Sequence, residues 1–138
     1  MNFTTDLSLK SYNTFGINVN AKYFSEINSV SELVDISSSE IFKKEELLVI
    51  SGGSNLLLTK NFDGLVLKNN ILGIEILKEN ENYVFLKIGA GEDWHQLVMY
   101  AVEKNWGGIE NLSLIPGNSG TAPMQNIGAY GVEIESVF

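Results

Sequence analysis

The feature that most constrains this chain is the stretch PGNSGTAPMQNIGAYG, Pro116 to Gly131, near the end of the 138 residues. It holds four glycines and both prolines of the chain, and it carries no charged side chain. Glycine and proline interrupt helices and strands, so the stretch predicts a long loop. Exposed loops usually carry charged side chains that interact with water. A neutral one favours backbone folded around an uncharged polar ring or a pyrophosphate, and a plain surface Ω-loop is the alternative.

The composition narrows the chemistry that such a loop could serve. The chain has no cysteine and one histidine, His95, which excludes disulfides, cysteine nucleophiles and multi-histidine zinc sites, so we expect no metal. The net charge is −8 and all nine basic residues are lysines, so we expect no nucleic-acid partner. Without arginine, any phosphate would have to be held largely by backbone N–H groups and not by side-chain cations. No apolar run has the length of a membrane span and the N-terminus does not resemble a signal peptide, so we expect no membrane partner and a cytoplasmic protein.

The pattern of apolar residues predicts a chain of two lobes. Residues 16–69 alternate strand, helix, strand, turn and strand, with a capping box at Ser29–Glu32 ahead of a helix near Leu33–Ser37, which predicts a small α/β lobe over residues 1–67. Residues 68–138 contain two strands joined at ENEN, the helix EDWHQLVMYAVEKNW ended by GG, and GVEIESVF as a strand that runs to the last residue. The predicted fold class is α+β.

The turn SGGSN, directly after the strand ELLVIS, is a second candidate site. Gly52 and Gly53 permit positive φ and a close approach to a ligand, and successive N–H groups in such a turn can bind an anion. A plain β-turn is the alternative on this stretch alone. In the long loop, the adjacent amides of Gln125 and Asn126 can donate and accept hydrogen bonds at once.

Other polar features favour structure over chemistry. GAG before the helix is part of a dinucleotide fingerprint, but Trp94 stands where its third glycine would be, so we expect no Rossmann domain. His95 lies off the apolar stripe, and we expect a solvated helix residue and not a general base. Glu92 and Asp93 suit the first turn of the helix through its dipole.

Five motifs occur together in an order found in one family. YNTFGI, SGGSNLLL, GAGEDWHQLV, GIENLSLIPG and PMQNIGAYGVEI resemble UDP-N-acetylenolpyruvoylglucosamine reductase, a flavin enzyme of peptidoglycan precursor synthesis, over essentially the whole chain. The resemblance implies the FAD-binding fold of the vanillyl-alcohol-oxidase/PCMH type, with FAD as cofactor and NADPH as its reductant. It also implies that the chain is the N-terminal portion of a longer enzyme, with an incomplete second lobe and no substrate domain.

The resemblance also carries a set of FAD-binding residues onto this sequence. The glycine turn would meet the pyrophosphate and the long loop would line the flavin and its linker, so that both face one cleft. These residues are Gly52, Gly53, Ser54, Asn55, Pro116, Gly117, Gly120, Gln125, Asn126, Ile127 and Gly128. Ser51, Ser119 and Thr121 depart from the family pattern and would add hydroxyls at the cofactor.

By the same resemblance, the catalytic arginine, serine and glutamate of the family lie beyond residue 138, so no catalytic residue is assigned. The UDP-sugar substrate would bind only the longer enzyme. We expect weak or absent FAD occupancy, no turnover by this chain alone, and self-association through an unpaired C-terminal strand, with Trp94, Leu97, Val98 and Val102 exposed. A non-catalytic nucleotide- or partner-binding fragment, or another oxidoreductase of the same flavin superfamily, stays open.

Overall fold

The computed structural model describes residues 2–138, and the chain divides into two compact units, Met1–Ile71 and Leu72–Phe138. The first unit is built on a four-stranded mixed sheet. Its strands are β1 (Thr4–Ser8), β2 (Asn20–Ile27), β3 (Glu46–Ile50) and β4 (Phe62–Asn69), in the spatial order β1-β2-β4-β3. β1 pairs antiparallel with β2, whereas β4 is parallel to both β2 and β3. The sequence does not predict β1, because TTDLS shows no alternation of apolar residues.

The core of the first unit lies on both faces of the central strand β4. Val66 packs with Phe24 and Ile50 on one face. Leu65 and Leu67 pack with Ile27 and Ile36 on the other face. Successive side chains of a strand point to opposite faces, so a strand that is covered twice is apolar throughout. This explains the continuous apolar run in GLVLKN.

Two short helices, α1 (Val30–Ser37) and α2 (Glu40–Lys44), connect β2 to β3. The predicted cap is confirmed, because Oγ of Ser29 accepts the N–H of Glu32 at 3.2 Å. The Glu32 carboxylate in turn accepts the N–H of Asn28, the residue before the cap. The helix begins at Val30, directly after its cap, and not near Leu33.

The second unit combines two small antiparallel sheets with one helix. The strands β5 (Ile74–Glu79) and β6 (Val84–Ile88) form the predicted hairpin, the helix α3 spans Trp94–Glu103, and β7 (Gly128–Ala129) pairs with β8 (Val132–Glu133). The core of this unit consists of Trp94, Leu97, Val98, Leu112, Ala122 and Ile134. Within residues 2–138, no helix combines the length and the apolar composition that crossing a bilayer needs.

Both ends of α3 are capped by their own residues. Oδ1 of Asp93 accepts the N–H of Gln96 at 2.9 Å, as the acidic start of the helix predicts. At the other end Asn105 takes a φ of +59°, and the N–H of Trp106 donates to the carbonyl of Ala101 at 2.9 Å. This is a Schellman ending with asparagine as its left-handed residue, so the GG that was expected to end the helix lies beyond it.

Two expectations for the second unit are wrong. GVEIESVF is a strand only at Val132–Glu133, because the chain then turns in a 3₁₀ helix, Ile134–Ser136, and buries Ile134. On α3, Trp94, Leu97 and Val98 are at most 4% exposed, since the chain's own loops cover them; of the four residues expected to be open, only Val102 is exposed, at 43%. These grounds for self-association therefore fail, and the association itself stays a prediction.

Candidate functional site

The glycine turn of the first unit follows directly on the carboxyl end of β3. Gly53 has a φ of +66°, a conformation that glycine adopts at no steric cost. Gly52 is exposed, and Gly53 and Ser54 are half-buried. Across residues 2–138, the N–H groups of Gly52, Gly53 and Ser54 donate to no other atom of the chain. Successive N–H groups without an internal acceptor are what an anion-binding turn requires.

The glycine turn lies against the loop that contains YNTFGI. A Cβ on Gly53 would collide with the carbonyl oxygen of Tyr12. The carbonyl oxygen of Gly53 accepts the N–H of Thr14 at 3.1 Å. The C=O and N–H of a trans peptide point in opposite directions, so this bond directs the N–H of Ser54 away from Thr14. The turn is thus oriented by the chain itself.

Asn13 fixes the conformation of that supporting loop. Its buried side chain donates to the carbonyls of Leu9 at 2.7 Å and Ile17 at 3.0 Å, and its Oδ1 accepts the N–H of Ile17 at 2.9 Å. The side-chain amide of Asn13 therefore bridges the two ends of the loop, both as a donor and as an acceptor. The sequence assigns no role to Asn13 or Thr14, since a buried asparagine cannot be told from an exposed one without the fold.

Lys68 adds a positive charge at the start of the glycine turn. Its Nζ donates to the carbonyl oxygen of Ser51 at 2.6 Å. Partial burial lowers the pKa of this ammonium group, and the nearby Glu26 carboxylate opposes that shift. The sequence indicates that backbone N–H groups would largely hold any bound anion, so Lys68 is a candidate contributor that the sequence does not reveal.

In the second unit, the start of the long loop pairs with the turn that precedes α3. The N–H of Ser119 donates to the carbonyl of Glu92 at 2.8 Å, and the N–H of Gly120 donates to the carbonyl of Ala90 at 3.1 Å. A Cβ on Gly120 would lie 2.5 Å from the Cβ of Ala90. The fold alone therefore requires glycine at this position, and contact of Gly120 with FAD stays a prediction.

The hydroxyls that depart from the family pattern in this loop are used inside the unit. Oγ of Ser119 donates to the carbonyl of Glu92 at 3.2 Å, and Oγ1 of Thr121 donates to the carbonyl of Asn118 at 2.9 Å. Gly117 takes a φ of +125°, and Pro116 before it is exposed. The hydroxyls of Ser119 and Thr121 therefore stabilise the loop, a role that the sequence does not predict.

The two adjacent amides lie where a 3₁₀ turn, Pro123–Gln125, ends. Both Gln125 and Asn126 are exposed, and Asn126 has a φ of +43°. Nε2 of Gln125 donates to the carbonyl of Thr121 at 3.2 Å, and Nδ2 of Asn126 donates to the carboxylate of Glu133 at 2.8 Å. The amides are thus held in place while their side chains stay on the surface.

The residues after the amides form a small hairpin. Ile127 is half-buried and packs on the core of the unit, and Gly128 begins β7. Tyr130 and Gly131 join β7 to β8 with φ values of +54° and +79°, as in a type I′ turn. Within each unit the predicted residues therefore lie together, in the glycine turn at 52–55 and in the loop at 116–128.

His95 has a different environment from the one expected. It is half-buried, and its Nδ1 lies 3.1 Å from Oγ of Ser113 and 3.4 Å from the backbone nitrogen of Leu114. The expectation of a solvated helix residue is therefore wrong, because the segment after the 3₁₀ turn Glu110–Leu112 packs against this face of α3. Trp94, the residue before it, is buried in the core, and its Nε1 donates to the carbonyl of Leu112 at 2.8 Å.

Known proteins resemble the chain in both sequence and fold. It is 49% identical over 138 residues to UDP-N-acetylenolpyruvoylglucosamine reductase of Flavobacterium johnsoniae, covering 100% of this chain and 40% of that protein. It is 42% identical over 135 residues to the protein of the same name from Chromobacterium violaceum, covering 98% of this chain and 40% of that protein. The chain thus spans about two fifths of the length of these curated relatives.

The crystal structure of UDP-N-acetylenolpyruvylglucosamine reductase from Thermus caldophilus matches with a TM-score of 0.69 and 24% identity, over 96% of this chain and 44% of that chain. Residues 21–138 match a family model described as FAD binding domain. The predicted α+β fold, an FAD-binding fold of the vanillyl-alcohol-oxidase/PCMH type, is thereby confirmed. Because the match extends over most of the sequence, the chain belongs to the family of FAD binding domains.

Proposed function

We propose that this chain is the FAD-binding part of a reductase that acts on UDP-N-acetylenolpyruvoylglucosamine. The observation that carries the proposal is the turn at Gly52–Ser54, whose three N–H groups have no acceptor within residues 2–138, in a chain of the FAD binding domain family. The name of the relatives, at 49% identity over 138 residues, supports the substrate. Residues 1–67 would form the first FAD-binding lobe, and residues 68–138 the beginning of the second.

On this proposal the glycine turn binds the pyrophosphate of FAD. Gly52, Gly53 and Ser54 present backbone donors, Asn55 ends the turn, and the exposure of Gly52 lets an anion reach the donors. Lys68, bonded to the carbonyl that precedes the turn, adds positive charge. The residues present therefore fit a diphosphate in a chain without arginine, because N–H groups and one ammonium supply the donors.

The long loop binds the flavin and its linker on the same proposal. The exposed amides of Gln125 and Asn126 can donate to and accept from the edge of the isoalloxazine ring. Their placement by Thr121 and Glu133 reduces the conformational freedom that binding would otherwise remove. The other proposed residues of this loop are Pro116, Gly117, Gly120, Ile127 and Gly128.

FAD, when bound, supplies the hydride chemistry that connects NADPH with the enolpyruvyl double bond of the UDP-sugar. The residues of this chain bind and orient the cofactor. No catalytic acid is assigned among them, so we expect no turnover by this chain alone. We place the reaction in the cytoplasm, where NADPH and UDP-sugars are available.

Titration of FAD into the purified chain, followed by flavin fluorescence and calorimetry, tests the proposal. We expect low occupancy after purification but saturable binding of one FAD per chain. Lys68→Met should weaken binding about tenfold, as expected for the loss of a hydrogen-bonded charge near a phosphate. Lys60→Met, a change of an exposed lysine in the same unit, is the matched control and should bind like the wild type.

Absence of saturable FAD binding by the wild-type chain would contradict the proposal. The substrate needs a separate assay with the complete enzyme, in which NADPH oxidation is followed with UDP-N-acetylenolpyruvoylglucosamine. FAD binding without that activity would favour another oxidoreductase of the same superfamily.

A further inference from the structure

We propose that His95 is a positioning residue for the long loop, Pro116 to Gly131, and that it acts through Leu114. This role rests on the proposed function of that loop. His95 lies in the first turn of α3, and Leu114 lies three residues before Gly117. The bond between them links a helix anchored in the core to the segment that leads into Gly117–Gly120.

Leu114 has a backbone conformation that must be held from outside. Its φ is +63°, in the left-handed region that an L-residue other than glycine, asparagine or aspartate rarely adopts. Its side chain is 77% exposed, so burial of the leucine does not stabilise this conformation. Strained backbone of this kind persists only where the surroundings impose it.

The first two residues of α3 supply the constraints. Nδ1 of His95 accepts the N–H of Leu114 at 3.4 Å and lies 3.1 Å from Oγ of Ser113. Trp94 holds both ends of the same segment, since its Nε1 donates to the carbonyl of Leu112 at 2.8 Å and its backbone N–H donates to the carbonyl of Gly117 at 3.1 Å. The path from Leu112 to Gly117 is therefore bonded to α3 at its start, middle and end.

The bond to Leu114 defines the state of the imidazole ring. A backbone N–H can only donate, so Nδ1 must carry a lone pair and the proton of the neutral ring must be on Nε2. Asparagine can place its Oδ1 near the position of Nδ1, whereas the longer glutamine side chain carries its amide near the position of Nε2. The two amides therefore distinguish which ring nitrogen matters.

The experiment compares His95→Ala, His95→Gln and His95→Asn with the wild type. FAD affinity is measured by fluorescence titration, and thermal unfolding is measured without FAD. We expect His95→Ala and His95→Gln to weaken FAD binding about five- to tenfold, as for the loss of one hydrogen bond. His95→Asn should stay within about twofold of the wild type, because it keeps the acceptor. Gln96→Ala, a change of the exposed next residue, is the control and should leave affinity unchanged.

A second readout does not depend on FAD. His95 is the one histidine of the chain, so the imidazole signals in a long-range ¹H–¹⁵N spectrum belong to it. In the neutral ring we expect the lone pair on Nδ1 and the proton on Nε2, and the opposite tautomer would overturn the inference. Equal FAD affinity in all four proteins would overturn it too, as would a loss in His95→Ala that asparagine does not restore. If the wild type binds no FAD, the proposed function and the positioning role fail together, while an unprotonated Nδ1 would still support the bond to Leu114.

Discussion

Gly53 packs its backbone so closely against the carbonyl oxygen of Tyr12 that no side chain can be placed there. The sequence suggests that this glycine allows a ligand to approach, but the fold requires it before any ligand binds. Proposed ligand contacts of the turn therefore rest on its N–H groups and not on the lack of a side chain at position 53.

Replacing Gly53 by alanine should destabilise the chain in the absence of FAD. The substitution combines a left-handed φ with a backbone collision, and we expect a loss of about 3 kcal/mol or more in the free energy of unfolding. Gly16→Ala is the matched control, because Gly16 has a similar φ of +64° but nothing within 4 Å of its Cβ position. It should lose only about 1 kcal/mol. Equal losses in urea denaturation of the two variants would show that the collision is relieved at no cost.

A second glycine tests the pairing of the long loop with the turn before α3. Gly120→Ala places two Cβ atoms 2.5 Å apart, so we expect a loss of about 2 kcal/mol. Ala90→Gly should restore part of that stability in the double variant, but not all of it, because the Cα of Ala90 would still lie 2.9 Å from the new Cβ. Additive effects of the two changes in a double-mutant cycle would contradict the contact.

The indole of Trp94 has a predicted role in stability that does not depend on its size alone. Trp94→Phe removes the donor to the carbonyl of Leu112 and leaves that buried acceptor unpaired, so we expect a loss of about 1–3 kcal/mol beyond the cost of the smaller ring. Trp106→Phe changes an indole that packs edge-to-face against Tyr100 at the end of α3 and should cost about 1 kcal/mol. Thermal unfolding of the two variants compares them, and equal losses would refute the role of the hydrogen bond.

Alkaline pH should reveal the environment of Tyr12. Burial, the hydrogen bond to Glu26 and the charge of that carboxylate raise the pKa of the Tyr12 hydroxyl above its usual 10.0. The native state therefore keeps this proton longer than the unfolded chain, so its stabilising effect is complete below pH 10.0 and is lost as the pH rises toward the native pKa. The stability difference between the wild type and Tyr12→Phe should shrink over that range. Tyr23→Phe, on β2, is the control, and a constant difference for Tyr12→Phe would contradict the shift.

The sequence predicts the elements whose signals are local. Ser29 with Glu32, and Asp93 before α3, mark helix starts, and the apolar run of β4 marks a strand that is covered on both faces. The last segment, GVEIESVF, is wrongly predicted to be a strand throughout. Its alternation of apolar residues is also compatible with a 3₁₀ turn, which buries Ile134. The motifs also lead to a fold that the family match confirms.

The contacts that orient the candidate site could not be predicted, because they join residues distant in sequence. Thr14 meets Gly53, and Ala90 meets Gly120, through backbone atoms that carry no sequence signal. The bond of His95 to Leu114 depends on a left-handed leucine, which no pattern in the sequence indicates. Long-range backbone contacts of this kind become visible only with the fold.

The central claim is that the backbone N–H groups of Gly52, Gly53 and Ser54 bind the pyrophosphate of FAD. The most direct test is a ¹H–¹⁵N titration of the labelled chain with FAD and, separately, with ADP. Both ligands should shift these three amide resonances most among those of the first unit, because both carry the diphosphate. For each ligand the three resonances should follow one saturation curve. Saturable binding of FAD that leaves all three resonances unmoved would contradict the claim.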